Sequence, residues 1–113
     1  MTIERKSSDT LTKIELYKMT QDPQTISLKN TEDIIIDLAQ WVLYTDINSA
    51  GNDIEILSMM DTEGKVYATN SSTFIASFTK ALDFFEGESF SKIQVIHGQS
   101  KSGRNYVDCS IIG

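Results

Sequence analysis

Between Asn70 and Gly87 the sequence reads NSSTFIASFTKALDFFEG, the one segment with sustained helical spacing in a chain otherwise patterned for strands. Phe74, Ile75, Phe78, Ala81, Leu82 and Phe85 fall at i, i+1, i+4, i+7, i+8 and i+11, which makes one wide apolar face. Asn70, Ser71 and Ser72 supply side-chain oxygens for the unpaired N–H groups of the first turn, and Gly87 suits the left-handed position after the last. A helix carrying three phenylalanines on one face must cover something. What it covers has to come from the strands around it.

Residues 1–11 are polar and mixed in charge, and read as a flexible N-terminal arm ahead of a single domain over 12–113. Thr12–Thr20 alternates, with Ile14 and Leu16 opposite Lys13, Glu15 and Tyr17, and is expected to be a half-buried strand. A turn follows at Gln21–Gln24, holding the only proline. Thr25–Asn30 reads as a short strand or an irregular connection.

Glu32–Ile47 is the longest β-favouring run, free of Gly and Pro and rich in Ile, Val, Trp and Tyr. It also admits an apolar helical stripe, but its β-branched cluster favours a strand, and its length predicts that it bends to serve two sheets. Asn48–Asn52 is a loop, and Asp53–Met60 the next strand. A tight turn at Asp61–Gly64 leads to Lys65–Thr69. After the helix, Phe90–His97 and Asn105–Ile112 flank the loop Gly98–Arg104.

Setting the first strand aside, the order is β-β-β-α-β-β with the helix between the third and fourth strands. That order predicts a mainly β chain, an OB-fold-like five-stranded Greek-key barrel with an extra N-terminal strand, whose helix closes one open end. A long, bent first strand is also what a small closed barrel needs.

Such barrels bind ligands on the second and third strands, between two loops that correspond here to Ile47–Asp53 and Gly98–Arg104. The second loop carries Lys101 and Arg104, and from 89 to 107 the only charges are those two and Lys92. A solvated hairpin loop would show the same composition. Tyr67 opposes Val66 and Ala68 on its strand, and Tyr106 opposes Val107 and Cys109, so both are expected to point away from the core. Exposed aromatics stack bases at about 1–3 kcal/mol each without regard to sequence. Trp41 and Tyr44 lie on opposite faces of the long strand, so one should be buried and the other available. With Lys65 nearby, the candidate nucleic-acid-binding set is Trp41, Tyr44, Lys65, Tyr67, Lys92, Lys101, Arg104 and Tyr106.

Other functions find less support. The net charge of −6 speaks against an indiscriminately basic nucleic-acid coat. The one histidine, His97, has no cysteine or histidine near it in sequence to share a metal, and reads as a strand terminus. Cys109 lacks a base and reads as a structural thiol of a reducing compartment. No phosphate-binding or hydrolase motif occurs, so no catalytic residue, metal or cofactor is expected. No run approaches the roughly 20 apolar residues of a membrane span, and no secretory signal opens the chain, so a cytoplasmic location without membrane association is expected.

GKVYATNSSTFIASF (Gly64–Phe78) followed by SKSGRNYVDC (Ser100–Cys109) resembles the small single-stranded DNA-binding proteins of phages that infect Gram-positive bacteria. The resemblance covers roughly Trp41 to Ile112. It implies an OB-fold protein that coats single strands without sequence preference in phage DNA replication or recombination, in the bacterial host cytoplasm. Single-stranded DNA is then the expected partner, with replication or recombination proteins as further ones. Many such proteins end in an acidic tail, whereas this sequence stops at SIIG; recruitment would need another surface, such as Asp83, Glu86 and Glu88. The alternative is a non-catalytic protein–protein interaction module on the same barrel. In it, a strand edge at Thr12–Thr20 or along the long strand could pair with another copy into a homodimer.

Overall fold

The computed structural model describes residues 1–86, 88 and 90–112. They form seven strands and two helices in a mainly β fold, a curled mixed sheet that closes about half of a barrel. In chain order the elements are β1 (Thr2–Lys6), α1 (Lys13–Thr20), β2 (Ile26–Ser27), a 3-10 turn (Leu28–Asn30), β3 (Ile35–Ile47), β4 (Asp53–Asp61), β5 (Val66–Thr69), α2 (Ser72–Phe85), β6 (Lys92–Gln99) and β7 (Asn105–Ile112). The sheet runs β2-β5-β4-β3-β6-β7, with β1 also paired to β3. Every pairing is antiparallel except that of β2 with β5.

β3 is the strand the others share. Ile35–Asp37 pairs with β6, and Leu38–Ile47 pairs with β4. The register shifts between Leu38 and Gln40, where the strand changes partner, so this one long run serves two ladders as its length predicts. β1 takes up the edge that β6 leaves, pairing Thr2–Lys6 with Val42–Thr45.

α2 covers the inner face. Ser71 caps it by accepting from Phe74 N at 3.2 Å, and Phe74, Ile75 and Phe78 are buried against Leu43, Leu57, Met59, Ile93, Val95 and Val107. Phe78 sits edge-on between Trp41 and Phe90, with ring centroids at 5.4 and 5.7 Å. Glu86, at φ 37°, adopts the left-handed conformation at the C-terminus of the helix, while Gly87 lies outside the described residues.

Two parts of the sequence fold otherwise than expected. Thr12–Thr20 is helix and not strand, because Thr12 and Glu15 form a reciprocal capping box: Thr12 Oγ1 accepts from Glu15 N at 3.1 Å, and Glu15 Oε1 accepts from Thr12 N at 3.0 Å. The extra N-terminal strand is β1, within the stretch read as a flexible arm. Its backbone is held by the otherwise open edge of β3 and by Ile3 packing beneath it.

Together α1 and β1 build a second apolar layer on the outer face, where Met19, Val42, Tyr44, Met60 and Val66 are buried with Leu11, Leu16 and Ile56 around them. β4 shows the result in its burial: Leu57–Met60 is buried at four consecutive positions, since both faces of the sheet are covered there. Among the described residues β5 and β7 make no ladder. β2 takes the free edge of β5, and the start of α2 lies along β7, with Ser71 Oγ donating to Val107 O at 3.0 Å and Ser77 Oγ to Asp108 Oδ1 at 2.5 Å.

Candidate nucleic-acid interface

The place where β5 and β7 fail to meet is a cleft of about 1520 Å³. Its walls are the Ser27–Asp33 segment, the start of α2 at Asn70–Thr73, and the facing ends of β6 and β7. Arg104 and Lys29 contribute positive charge, Glu32, Asp33 and Asp108 negative charge, and hydroxyls and amides line most of the rest. α2 points its N-terminus into this space, where the first-turn N–H groups carry partial positive charge.

The β6–β7 hairpin gives the cleft its aromatic edge. Ser100 N donates to Arg104 O at 2.8 Å and Gly103 N to Ser100 O at 2.9 Å, with Gly103 at φ 85°, a conformation that glycine adopts without strain. This turn leaves Lys101 and Arg104 exposed. Behind it, Tyr106 stands opposite Gly98 in the ladder and lies over it. A Cβ at Gly98 would come within 2.9 Å of Tyr106 Cε1 and closer still to the end of the ring. Glycine at 98 is therefore the seat of the Tyr106 ring, which remains 39% exposed at the mouth of the cleft.

His97 fixes the opposite wall. Its Nδ1 lies 2.8 Å from Asp33 Oδ1, its Nε2 lies 2.8 Å from Leu28 O, and its backbone N–H donates to the same Asp33 oxygen at 2.8 Å. Both ring nitrogens face acceptors, so the arrangement suits the doubly protonated imidazolium. The Asp33 carboxylate, then Leu28 O, raise the His97 pKa above its ordinary 6.5, against a smaller effect of burial. His97 in turn lowers Asp33 below 3.8. Far from a free strand terminus, this histidine is a latch between β6 and the Ser27–Asp33 wall. No sequence signal joins residues 64 apart, and none marks Lys29, on the same wall, as part of the site.

The remaining candidates are scattered. Tyr44 is 4% exposed, under α1 and β1, and burial, then Asp46, raises its pKa above 10.0. Trp41 packs its edge on Phe78 on the inner side. The two do lie on opposite faces, but each face is covered. Tyr67 also turns inward against the main core, while Val66 goes to the outer layer, the reverse of what the alternation suggests. The outer face of β4 and β5, expected to carry ligand, lies beneath α1. Lys65 borders a smaller cleft at the β4–β5 turn. Lys92 pairs with Ile112 at the other end of β6, roughly 20 Å along the strand from the hairpin turn. Of the eight candidates, the structure brings together Arg104 and Tyr106, with Lys101 in the adjoining turn.

Neither strand edge considered for pairing with another copy is open. Residues 12–20 are not a strand, and β3 has β4 along one edge and β6 and β1 along the other. Cys109 is half-buried, donates toward Phe74 O at 3.8 Å, and its thiol is pushed up to about 12 by burial and then by Asp108. Among the described residues no group of three or more His, Cys, Asp or Glu side chains is placed to hold a metal ion, and no helix is long and apolar enough to cross a membrane. No family model, no curated protein and no solved structure matches this chain.

Proposed function

We propose that this chain is a non-sequence-specific single-stranded DNA-binding protein on an OB-like frame, acting in phage DNA replication or recombination. Its DNA would lie in the cleft between the Ser27–Asp33 wall and the β6–β7 hairpin. The observation that carries the reading is the Tyr106 ring, seated on Gly98 and exposed beside Arg104 at the mouth of a polar cleft. A flat exposed ring beside cations is the minimal device for binding bases and phosphates regardless of sequence. The frame supports it too: β3-β4-β5-α2-β6-β7 follows the OB order, and the β6–β7 turn corresponds to one of the loops with which that fold grips ligands. The charges agree. Although the chain carries 16 acids against 10 lysines and arginines, among the described residues the only lysine or arginine side chains that pair with carboxylates are Arg5, with Asp83 at 3.2 Å, and Lys6, with Asp9 at 3.8 Å. Lys29, Lys101 and Arg104 make no ion pair among the described residues.

The test is fluorescence anisotropy of a labelled oligo-dT of about 30 nucleotides, a length beyond one OB site, at low and high salt. Saturable binding that salt reverses, with duplex DNA much weaker, is expected. Lys101→Ala with Arg104→Ala should lower the salt slope by about 0.7 for each phosphate no longer neutralised. An unchanged slope and affinity in that double variant would refute the placement of the site.

The interaction-module reading keeps one observation in its favour: Phe84 on α2 is 82% exposed, an unusual position for a phenylalanine. A chain that ignores oligo-dT at low salt would move the function to that surface.

A further inference from the structure

We infer that the single strand does not end at the Tyr106 cleft but crosses the edge strand β2 into the smaller cleft on its other side, which makes a second binding segment. This inference rests on the single-strand reading above. Its basis is the way β2 divides the surface. Ser27 lines the large cleft, and its neighbour Ile26 lines a second cleft of about 380 Å³. The two clefts are thus separated by one extended chain, the outermost strand of the sheet.

The second cleft is framed by α1 and the β4–β5 turn, and it presents Lys18 and Lys65. Both lysines are exposed, and among the described residues neither pairs with a carboxylate. Two acids share the cleft, Asp22 and Glu63. Asp22 Oδ1 accepts from Gln24 N at 2.9 Å. Arg104 and Lys29 line the large cleft, together with Glu32, Asp33 and Asp108, and Lys18 and Lys65 line the small one, so each cleft presents two lysine or arginine side chains. A polyanion with a charge on every residue can meet both pairs at once, whereas a single phosphate can meet only one of them. The ligand class is therefore a single strand long enough to reach both clefts.

The experiment compares oligo-dT of about 8 and about 24 nucleotides, within and beyond the 4–16 nucleotide range of one OB site. Binding is measured for the full chain, Lys18→Ala/Lys65→Ala and the single variant Lys80→Ala, whose lysine lies on α2 and lines neither cleft. The double variant should bind the short oligonucleotide as the parent does. It should bind the long one about 3- to 10-fold more weakly, with a salt slope lower by up to about 1.4. Lys80→Ala should match the parent on both. Equal affinity and slope for the long oligonucleotide in parent and double variant would overturn the second segment. So would equal weakening of short and long, which would mean a general charge effect. Failure of the parent chain to bind even the long oligonucleotide at low salt is a separate result, and overturns the underlying single-strand reading.

Discussion

Tyr106 rests its ring on the backbone of Gly98, its cross-strand partner, in the space that any other residue at 98 would fill with a Cβ. The atoms such a Cβ would meet belong to the far end of the ring, so Gly98→Ala need not disturb the fold: the tyrosine swings aside. The expected outcome is a small change in melting temperature with a loss of oligo-dT affinity approaching that of Tyr106→Ala, about 1–3 kcal/mol if the ring stacks on a base. In a double-mutant cycle the two substitutions should be strongly non-additive, since each removes the same platform. Additive losses would mean that the glycine serves something other than this ring.

The His97 latch gives stability a pH optimum. His97 has a raised pKa in the folded chain, so its contribution is full below the unfolded value near 6.5 and is lost as pH rises through the raised folded value. Asp33 has a lowered pKa, so its contribution is present above about 3.9 and is lost as pH falls through the depressed folded value. Between those limits the ion pair is complete. Melting temperatures from pH 4 to pH 9, about the range the two groups bracket, should fall at the alkaline end for the parent chain. His97→Gln should remove that alkaline fall, and it should be less stable near neutrality by about 1 kcal/mol for the bond to Leu28 O. A parallel fall in both proteins would assign the alkaline loss to other groups.

The elements that carry a continuous pattern are legible from the residues. The α2 face follows from an uninterrupted period of 3.6, the bent β3 from its β-branched run and its length, and the β4–β5 and β6–β7 hairpins from short strand-like runs around turn residues. Thr12–Thr20 is not, because Ile14 and Leu16 alternate over a window too short to separate the two periods, and the T-x-x-E signal at Thr12 and Glu15 is the decisive one. That one misreading carries the rest with it. With α1 taken for a strand, nothing covers the outer face of β4 and β5, so Val66 is drawn into the core, Tyr67 falls to solvent, one of Trp41 and Tyr44 is left available, and the binding surface falls there with them. β1 is illegible for a different reason: only Ile3 is buried in it even in part, and the strand exists because β3 has an edge to fill. Arg104 and Tyr106 are legible because a turn and its flanking strands are local. The wall they face, with Lys29 and the His97–Asp33 pair, is assembled across most of the chain.

The capping box at α1 has a measurable consequence. Thr12→Ala should cost about 1 kcal/mol, within the 0.5–2 kcal/mol typical of lost caps, and Thr12→Ser should cost little. Because α1 covers Met60 and Val66, its fraying should also loosen the outer layer before the main core opens. Hydrogen exchange is the suitable readout: faster exchange in α1 and β5 with β6 and β7 unchanged. Equal stability of Thr12→Ala and the parent would argue against a helix held at this end.

Trp41 gives an internal check on where the DNA lies. Its ring packs edge-on to Phe78, on the inner side of β3 and away from the cleft lining. Phe78→Ala should cost about 3–5 kcal/mol, the usual loss for an emptied aromatic core position. The Trp41 emission should shift to the red as water replaces the missing ring, and Phe78→Leu should show a smaller shift in a chain that remains folded. Saturating oligo-dT, by contrast, should leave the Trp41 emission of the parent nearly unchanged while the anisotropy of the labelled strand rises to its plateau. Strong quenching of Trp41 on binding would put bases against β3 itself, and the cleft beside Tyr106 would lose its claim to the ligand.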